Sequence, residues 1–295
     1  MATRAAICAA EPDRTSIIDR LRRLAPFALT VVGILVWIGY YVLFPRPYLA
    51  IDAHAYFLAD LNGDRGLAGE RDAYLYAPVF SQLIEPLRWL GWDGFRTVWR
   101  GFEVAALVGL AGPLTGLLLF VMPVLLEVNI GNIHLLMAAA IVAGFRWPAL
   151  WSFVLLTKIT PGVGLLWFVV RREWRELGIA LGATAAIAAV SFIAAPGLWF
   201  DWLGALTLQH GPTDVDLFLT APLVLRVAVA AALVVWGAKR NQRWTVLVAA
   251  LIALPVVWTF AIVMLLGLVP LLRHDLVRAT SRQQDDGHFN VSPPS

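Results

Sequence analysis

Residues 177–195, LGIALGATAAIAAVSFIAA, hold no charged side chain. Apolar stretches with few or no charges recur along most of the chain, at 25–44, 98–126, 133–144, 147–170, 222–237 and 244–272. They constrain the fold more than any other feature. A bilayer core about 30 Å thick is crossed by ~20 apolar residues in a helix. Strands of a membrane barrel would alternate apolar and polar residues, and these stretches do not. Lipid cannot satisfy open backbone groups, which also favours helices. The chain as a whole is 60% hydrophobic and 15% charged, with a mean hydropathy of +0.74. A soluble domain carries about a quarter charged residues. The expected fold is therefore all-α, a polytopic transmembrane helical bundle of about eight to ten spans.

The charges punctuate these runs. Residues 1–24 are polar and carry Arg14, Arg20, Arg22 and Arg23, which predicts a cytoplasmic N-terminal tail. The run at 25–44 has no small-residue cleavage site behind it and reads as a retained anchor. The loop at 45–73 is mostly acidic and is expected outside. Residues 74–90 read as a short return span, with Arg88, Arg96 and Arg100 at an inner turn. Gly112-Pro113, residues 157–162 and Pro255 each interrupt a run, because proline removes a donor from the helical ladder. Arg171, Arg172 and Arg175, then Lys239, Arg240 and Arg243, mark further inner turns. Residues 196–220 have no Lys or Arg and read as a second outer loop. Residues 25–272 form the membrane domain, and residues 273–295 a polar, disordered cytoplasmic tail. The location this implies is the plasma membrane, crossed many times.

The net charge of +3 comes from clusters at helix ends and gives no reason to expect nucleic acid. A single cysteine, Cys8, leaves no internal disulfide framework. There is no GxGxxG after a strand, no GxxxxGK[ST], no HExxH and no CxxC. Asp60 and Asp64 lack the repeated oxygen ligands of a calcium loop. Neither a metal nor a soluble cofactor is expected. The polar residues lie at the outer face, where nucleotide-activated substrates are not generally supplied. Chemistry there would draw on an activated substrate carried by a lipid.

Five motifs in order carry a resemblance. They are an Asp at the end of the first span, the Tyr-Pro motif YLYAPVFSQLIEPL, the turn GNIHLLM, the Lys-x-x-Pro element LLTKITPGVGLLWFVVRREWR and the Pro-x-x-Trp element ALPVVWTFAIVMLLGLVP. Together they resemble glycosyltransferase family 87, polytopic C-type enzymes that include polyprenyl-phosphate-mannose-dependent mannosyltransferases. The likeness runs from about residue 25 to 272. Here Asn132 and His134 stand where the family turn usually reads Gly-Gln followed by Asn. The resemblance implies an inverting hexosyltransferase. It would move a hexose, mannose above others, from a polyprenyl phosphate to a glycolipid or glycan acceptor at the outer face. Two other readings stay open: a lipid-glycan flippase, and an inactive scaffold of envelope synthesis.

On the resemblance, Asp52 is the general base, which must lie within hydrogen-bond reach of the acceptor hydroxyl. Position alone allows a solvated Asp or a helix N-cap as well. His54 and Tyr56 either orient that base and contact sugar, or are interfacial residues. Tyr76 belongs to the Tyr-Pro motif, whose other reading is to shape the second span. Lys158, an ionisable residue inside an apolar run, is expected to neutralise the leaving phosphate; its alternative is snorkelling. Arg226 is either a second phosphate contact or another snorkelling residue. His210 would touch the leaving group or simply be solvated. Asn132 and His134, with Glu127 and Asn129, either line the sugar pocket or satisfy a helix terminus.

Overall fold

A computed structural model describes residues 14–43, 50–59, 72–208 and 221–272. These are 84% helical and include no strand. α1 (Arg14–Leu43) is followed by the short α2 (Ile51–Leu58) and by α3 (Pro78–Arg88). α4 (Gly91–Ala111) continues through a 3-10 turn at Gly112–Leu114 into α5 (Thr115–Leu118). α6 (Met122–Ile130) and α7 (His134–Gly144) come next. α8 (Trp151–Thr157), a 3-10 turn at Thr160–Leu165 and α9 (Leu166–Arg171) form the next hairpin. Then come α10 (Trp174–Ala194), α11 (Pro196–Leu208), α12 (Leu223–Arg240) and α13 (Trp244–Ile252). A 3-10 segment at Thr259–Gly267 runs on as helix to Leu272, the last described residue.

Among the described residues, two stretches are long and apolar enough to cross a membrane: Gly91–Leu118 and Trp174–Ala194. A third is possible if α6 and α7, bent by 101° at residues 131–133, count as one span. The other apolar helices are shorter, such as Pro148–Thr157, Thr160–Arg171 and Thr259–Leu272. The eight to ten segments seen in hydropathy are thus largely broken helices. Broken backbone is tolerated at membrane depth where protein surrounds it. Here protein does surround it: Ile133, Leu135, Met137, Ala138 and Ile141 are all fully buried. α7 sits centrally, packed by α4, α8 and the Thr259–Gly267 segment. α10 is the opposite case. Val190 and Ile193 are 70% and 79% exposed, as a lipid-facing helix requires. α1 is attached through α5 and the Gly112 turn, where the Thr30 hydroxyl donates to the carbonyl of Pro113 at 2.6 Å.

Two expectations are corrected. Residues 74–90 do not form a return span. α3 has 11 residues, about 16 Å, and lies beside α2. Its last residue, Arg88, donates to the carbonyls of Tyr56 (3.3 Å) and Ala59 (2.9 Å). Arg88 therefore satisfies orphan carbonyls at the C-terminus of α2 and stands at the same end of the molecule as that helix. The second correction concerns 196–208, which is helix rather than loop. Pro196 opens α11 at the position that helices favour for proline. Trp199 and Trp202 then anchor it, donating to Ser191 Oγ (3.0 Å) and the carbonyl of Leu75 (3.1 Å).

The bundle has two chemically different ends. At one, Arg171 donates to the carbonyl of Ala238 and stacks over Trp167, while Arg243 lies over Phe145. Arg146, Arg172, Lys239 and Arg240 belong to the same turns. At the other end lie α2, the bend at 131–133, the α8 terminus and the break after α13.

Candidate active site

The site is built around the bend between α6 and α7. Gly131 ends α6 in the left-handed conformation, with φ +78°. A Cβ there would meet the Ala53 Cβ at 2.5 Å and its backbone nitrogen at 3.2 Å. Glycine is thus required both for the turn and for the close approach of α2. The Trp99 indole of α4 locks the turn by donating to the carbonyl of Gly131 at 2.8 Å.

The next residues point polar groups in two directions. The Asn132 amide donates to Asp52 Oδ2, and its own carbonyl accepts the Ile133 N–H at 2.7 Å. His134 is fully buried. Its Nδ1 lies 3.0 Å from Glu127 Oε2, and its Nε2 lies 3.0 Å from Lys158 Nζ. Glu127 is also fully buried, and its Oε1 accepts the N–H groups of His134 (2.7 Å) and Leu135 (3.3 Å). One turn therefore holds a carboxylate, Asp52, through Asn132, and a cation, Lys158, through His134. Both Asp52 and Lys158 remain partly exposed. They are near enough for mutual electrostatic attraction.

Burial raises the Asp52 pKa to about 6; the hydrogen bond from Asn132 and the charge of Lys158 oppose that rise. A carboxylate so placed is ionised at neutral pH yet binds a proton more readily than a free Asp, which suits a general base. Asp52 makes no capping hydrogen bond for α2.

α2 carries Tyr56 on the same face as Asp52, four residues on. Tyr56 and Tyr76 hydroxyls are 3.1 Å apart. Burial holds both phenols protonated. Phe80 and Trp99 pack edge-on against Tyr56. His54 points elsewhere: its Nδ1 meets Asp72 Oδ1 at 2.7 Å, and its ring lies edge-on to Trp92. It ties the start of the Tyr-Pro segment to α2 and is not brought to Asp52.

Arg226 also stands apart. It is 7% exposed. Its guanidinium donates to four carbonyls: Ala221 (2.9 Å), Ile252 (3.2 Å), Leu254 (2.6 Å) and Pro255 (2.9 Å). The last three are orphan carbonyls left where Pro255 breaks the chain after α13, and Ala221 lies just ahead of α12. The clamp fixes the segment that places Phe260 5.8 Å from the His134 ring. His210 lies outside the described residues.

Glu103 on α4 is fully buried, and neither carboxyl oxygen has a hydrogen-bond partner among the described residues. Arg100, one turn earlier, and Glu127 act on it electrostatically. Nothing in the sequence singled it out beyond a lone acid in an apolar run. That signal flagged Lys158 and applies equally here.

Such an arrangement can take a proton from a hydroxyl at Asp52 while Lys158 faces a developing negative charge. This is the pairing that group transfer from a phosphate ester needs. The family model for glycosyltransferase family 87 matches residues 74–280. The chain belongs to that family, and is a membrane glycosyltransferase. The match begins at Tyr74, so it covers Tyr76, Asn132, His134, Lys158 and Arg226 and leaves Asp52 ahead of it. No curated protein and no solved structure matches the chain.

Proposed function

We propose that the protein moves a hexose, mannose above others, from a polyprenyl phosphate to a glycolipid or glycan acceptor at the outer face of the plasma membrane. The observation that carries this is the joint placement of Asp52 and Lys158 by a single turn. A sugar phosphate seated between them would have its anomeric carbon within reach of an acceptor hydroxyl. Asp52 takes the proton of that hydroxyl as its oxygen attacks. The bond from the anomeric carbon to the phosphate oxygen breaks, and the electron pair leaves with the polyprenyl phosphate beside Lys158. Attack opposite the leaving group inverts the anomeric centre. Tyr56 and Tyr76, kept as neutral phenols, offer hydrogen bonds to the sugar.

Two further features support the details. The basic turns around Arg146, Arg171 and Arg243 lie at the end of the bundle away from Asp52. That end also carries Arg172, Lys239 and Arg240, against Arg88 and Arg96 beside α2, and lysine and arginine concentrate on the cytoplasmic side of membrane proteins, so the site is read as external. A lipid-borne donor reaches that face without a nucleotide, and the exposed apolar faces of α1 and α10 keep the bundle among such lipids.

The test uses purified protein in lipid, radiolabelled polyprenyl-phosphate-mannose and an extract of envelope lipids, with the glucose-bearing donor in parallel. Label should appear in new lipid or glycan species, with inverted anomeric configuration. Retained configuration, or no transfer from any polyprenyl-phosphate hexose, would refute the proposal.

A further inference from the structure

We infer that Glu127 and His134 are positioning residues that hold Lys158 against the phosphate of the lipid-linked donor. The inference rests on the reading of this site as one for a phosphate donor. It concerns two groups that are themselves fully buried.

The chain of bonds runs in one direction only. Glu127 Oε1 accepts two backbone N–H groups at the start of α7, where the helix dipole favours a negative charge. With Oε1 so engaged, Oε2 is left to accept from His134 Nδ1 at 3.0 Å. A proton on Nδ1 leaves Nε2 of the neutral ring as an acceptor. Lys158 Nζ, 3.0 Å away, fills it as a donor. The opposite tautomer would set a ring N–H against an ammonium that has no lone pair to offer.

The consequence for Lys158 is geometric. A lysine carries three donors on a flexible stem. One is fixed on His134, and the backbone around it is fixed too: its N–H bonds the carbonyl of Val154 at 2.9 Å, and Pro161 follows closely. Two donors remain, on a side chain that is partly exposed and close enough to Asp52 to interact with it electrostatically. A snorkelling lysine has no such restraint. His134 is in turn wedged by Phe260. Asn132 and His134 sit two residues apart, so the turn that sets Lys158 also sets Asp52. Base and phosphate contact are thereby kept in register.

The test is a binding measurement on the full chain in lipid nanodiscs. The probes are a polyprenyl monophosphate and the matching polyprenol, which has the tail without the phosphate. Wild type should prefer the monophosphate. Lys158→Met should weaken that probe by roughly ten- to a hundredfold, the range for a lost hydrogen bond to a charged group. Glu127→Gln should weaken it similarly, because the amide presents N–H to Nδ1 and forces the wrong tautomer on His134. The double variant should be no weaker than Lys158→Met alone, and polyprenol binding should be unchanged throughout. Nitrogen NMR of labelled histidine should show His134 protonated at Nδ1 in wild type and at Nε2 in Glu127→Gln. If Glu127→Gln fails to fold, His134→Phe decides, since it removes the acceptor and keeps the Glu127 cap on α7. Normal monophosphate binding by the positioning variant, or a loss that adds to that of Lys158→Met, overturns the inference alone. Equal binding of both probes by wild type, or normal binding by Lys158→Met, overturns the phosphate-donor reading and the inference with it.

Discussion

Asp52 shows what a residue's surroundings add to its type. As a solvated side chain it would be a weak base with an ordinary pKa. Burial against the 131–134 turn raises its proton affinity, and Asn132 and Lys158 restrain the rise. The sign of the consequences follows. As the proposed base, Asp52 would have to be ionised to act, so transfer should climb as pH rises through about 6 and then level off. Replacing Asn132 by Ala removes a hydrogen bond that favours the ionised form, and should move that limb to higher pH. A pH profile of kcat/KM checks both. The same shift burdens folding. A raised native pKa costs nothing well below the ordinary Asp value of 3.8, where Asp52 is protonated in both folded and unfolded chains, grows as pH rises from there, and reaches its full amount above about 6. Asp52→Asn should therefore raise Tm more at pH 7 than at pH 4, an outcome that a thermal melt would show. Gly131 is the other decisive residue. Gly131→Ala combines a left-handed φ with a contact on Ala53. Its cost should exceed the ~1 kcal/mol of a simple Gly-to-Ala conformational change. Both Tm and transfer should fall, since α2 carries Asp52 away as it yields.

At the scale of elements, the breaks were the most readable feature. Gly112-Pro113, Pro161-Gly162 and Pro255 each announce an interrupted helix, and each is one. The order of motifs also pointed to the turn at 131–134 and to Lys158. What could not be read was which apolar pieces cross and which lie across an end. Residues 74–90 have the composition of a span, but Arg88 caps α2 instead. Residues 196–208 read as part of an outer loop because 196–220 hold no Lys or Arg, yet their tryptophans pack a helix. Convergence was equally hidden. Lys158 and His134 are 24 residues apart, and Asp52 and Asn132 are 80 apart, separations that hydropathy cannot connect. Arg226 illustrates the ambiguity of a lone arginine: phosphate ligand and backbone clamp look identical in sequence. Its four carbonyl bonds predict a structural cost. Arg226→Leu should destabilise by several times the ~1 kcal/mol of one hydrogen bond, since the carbonyls lose partners together. A melt should show the loss. Arg226→Lys should recover only part, because an ammonium cannot span the same fork.

Across the whole molecule, the architecture separates roles by position. α10 and α1 expose apolar surface for lipid; α7 and its neighbours form a buried centre; the turns of Arg146, Arg171 and Arg243 gather at one end, and the site lies at the other with Arg88 beside it. The centre tolerates broken helices because protein, not lipid, surrounds them. Those breaks free the turn ends that carry Asn132, His134 and Lys158. The central claim is that this end of the bundle performs one displacement, with Asp52 as its base. The most direct test is the rate of sugar transfer from a polyprenyl-phosphate hexose by wild type and by Asp52→Asn, at saturating donor in lipid. Loss of a general base predicts a kcat lower by about 10²–10⁴-fold with donor binding retained. Transfer by Asp52→Asn at the wild-type rate would contradict the claim.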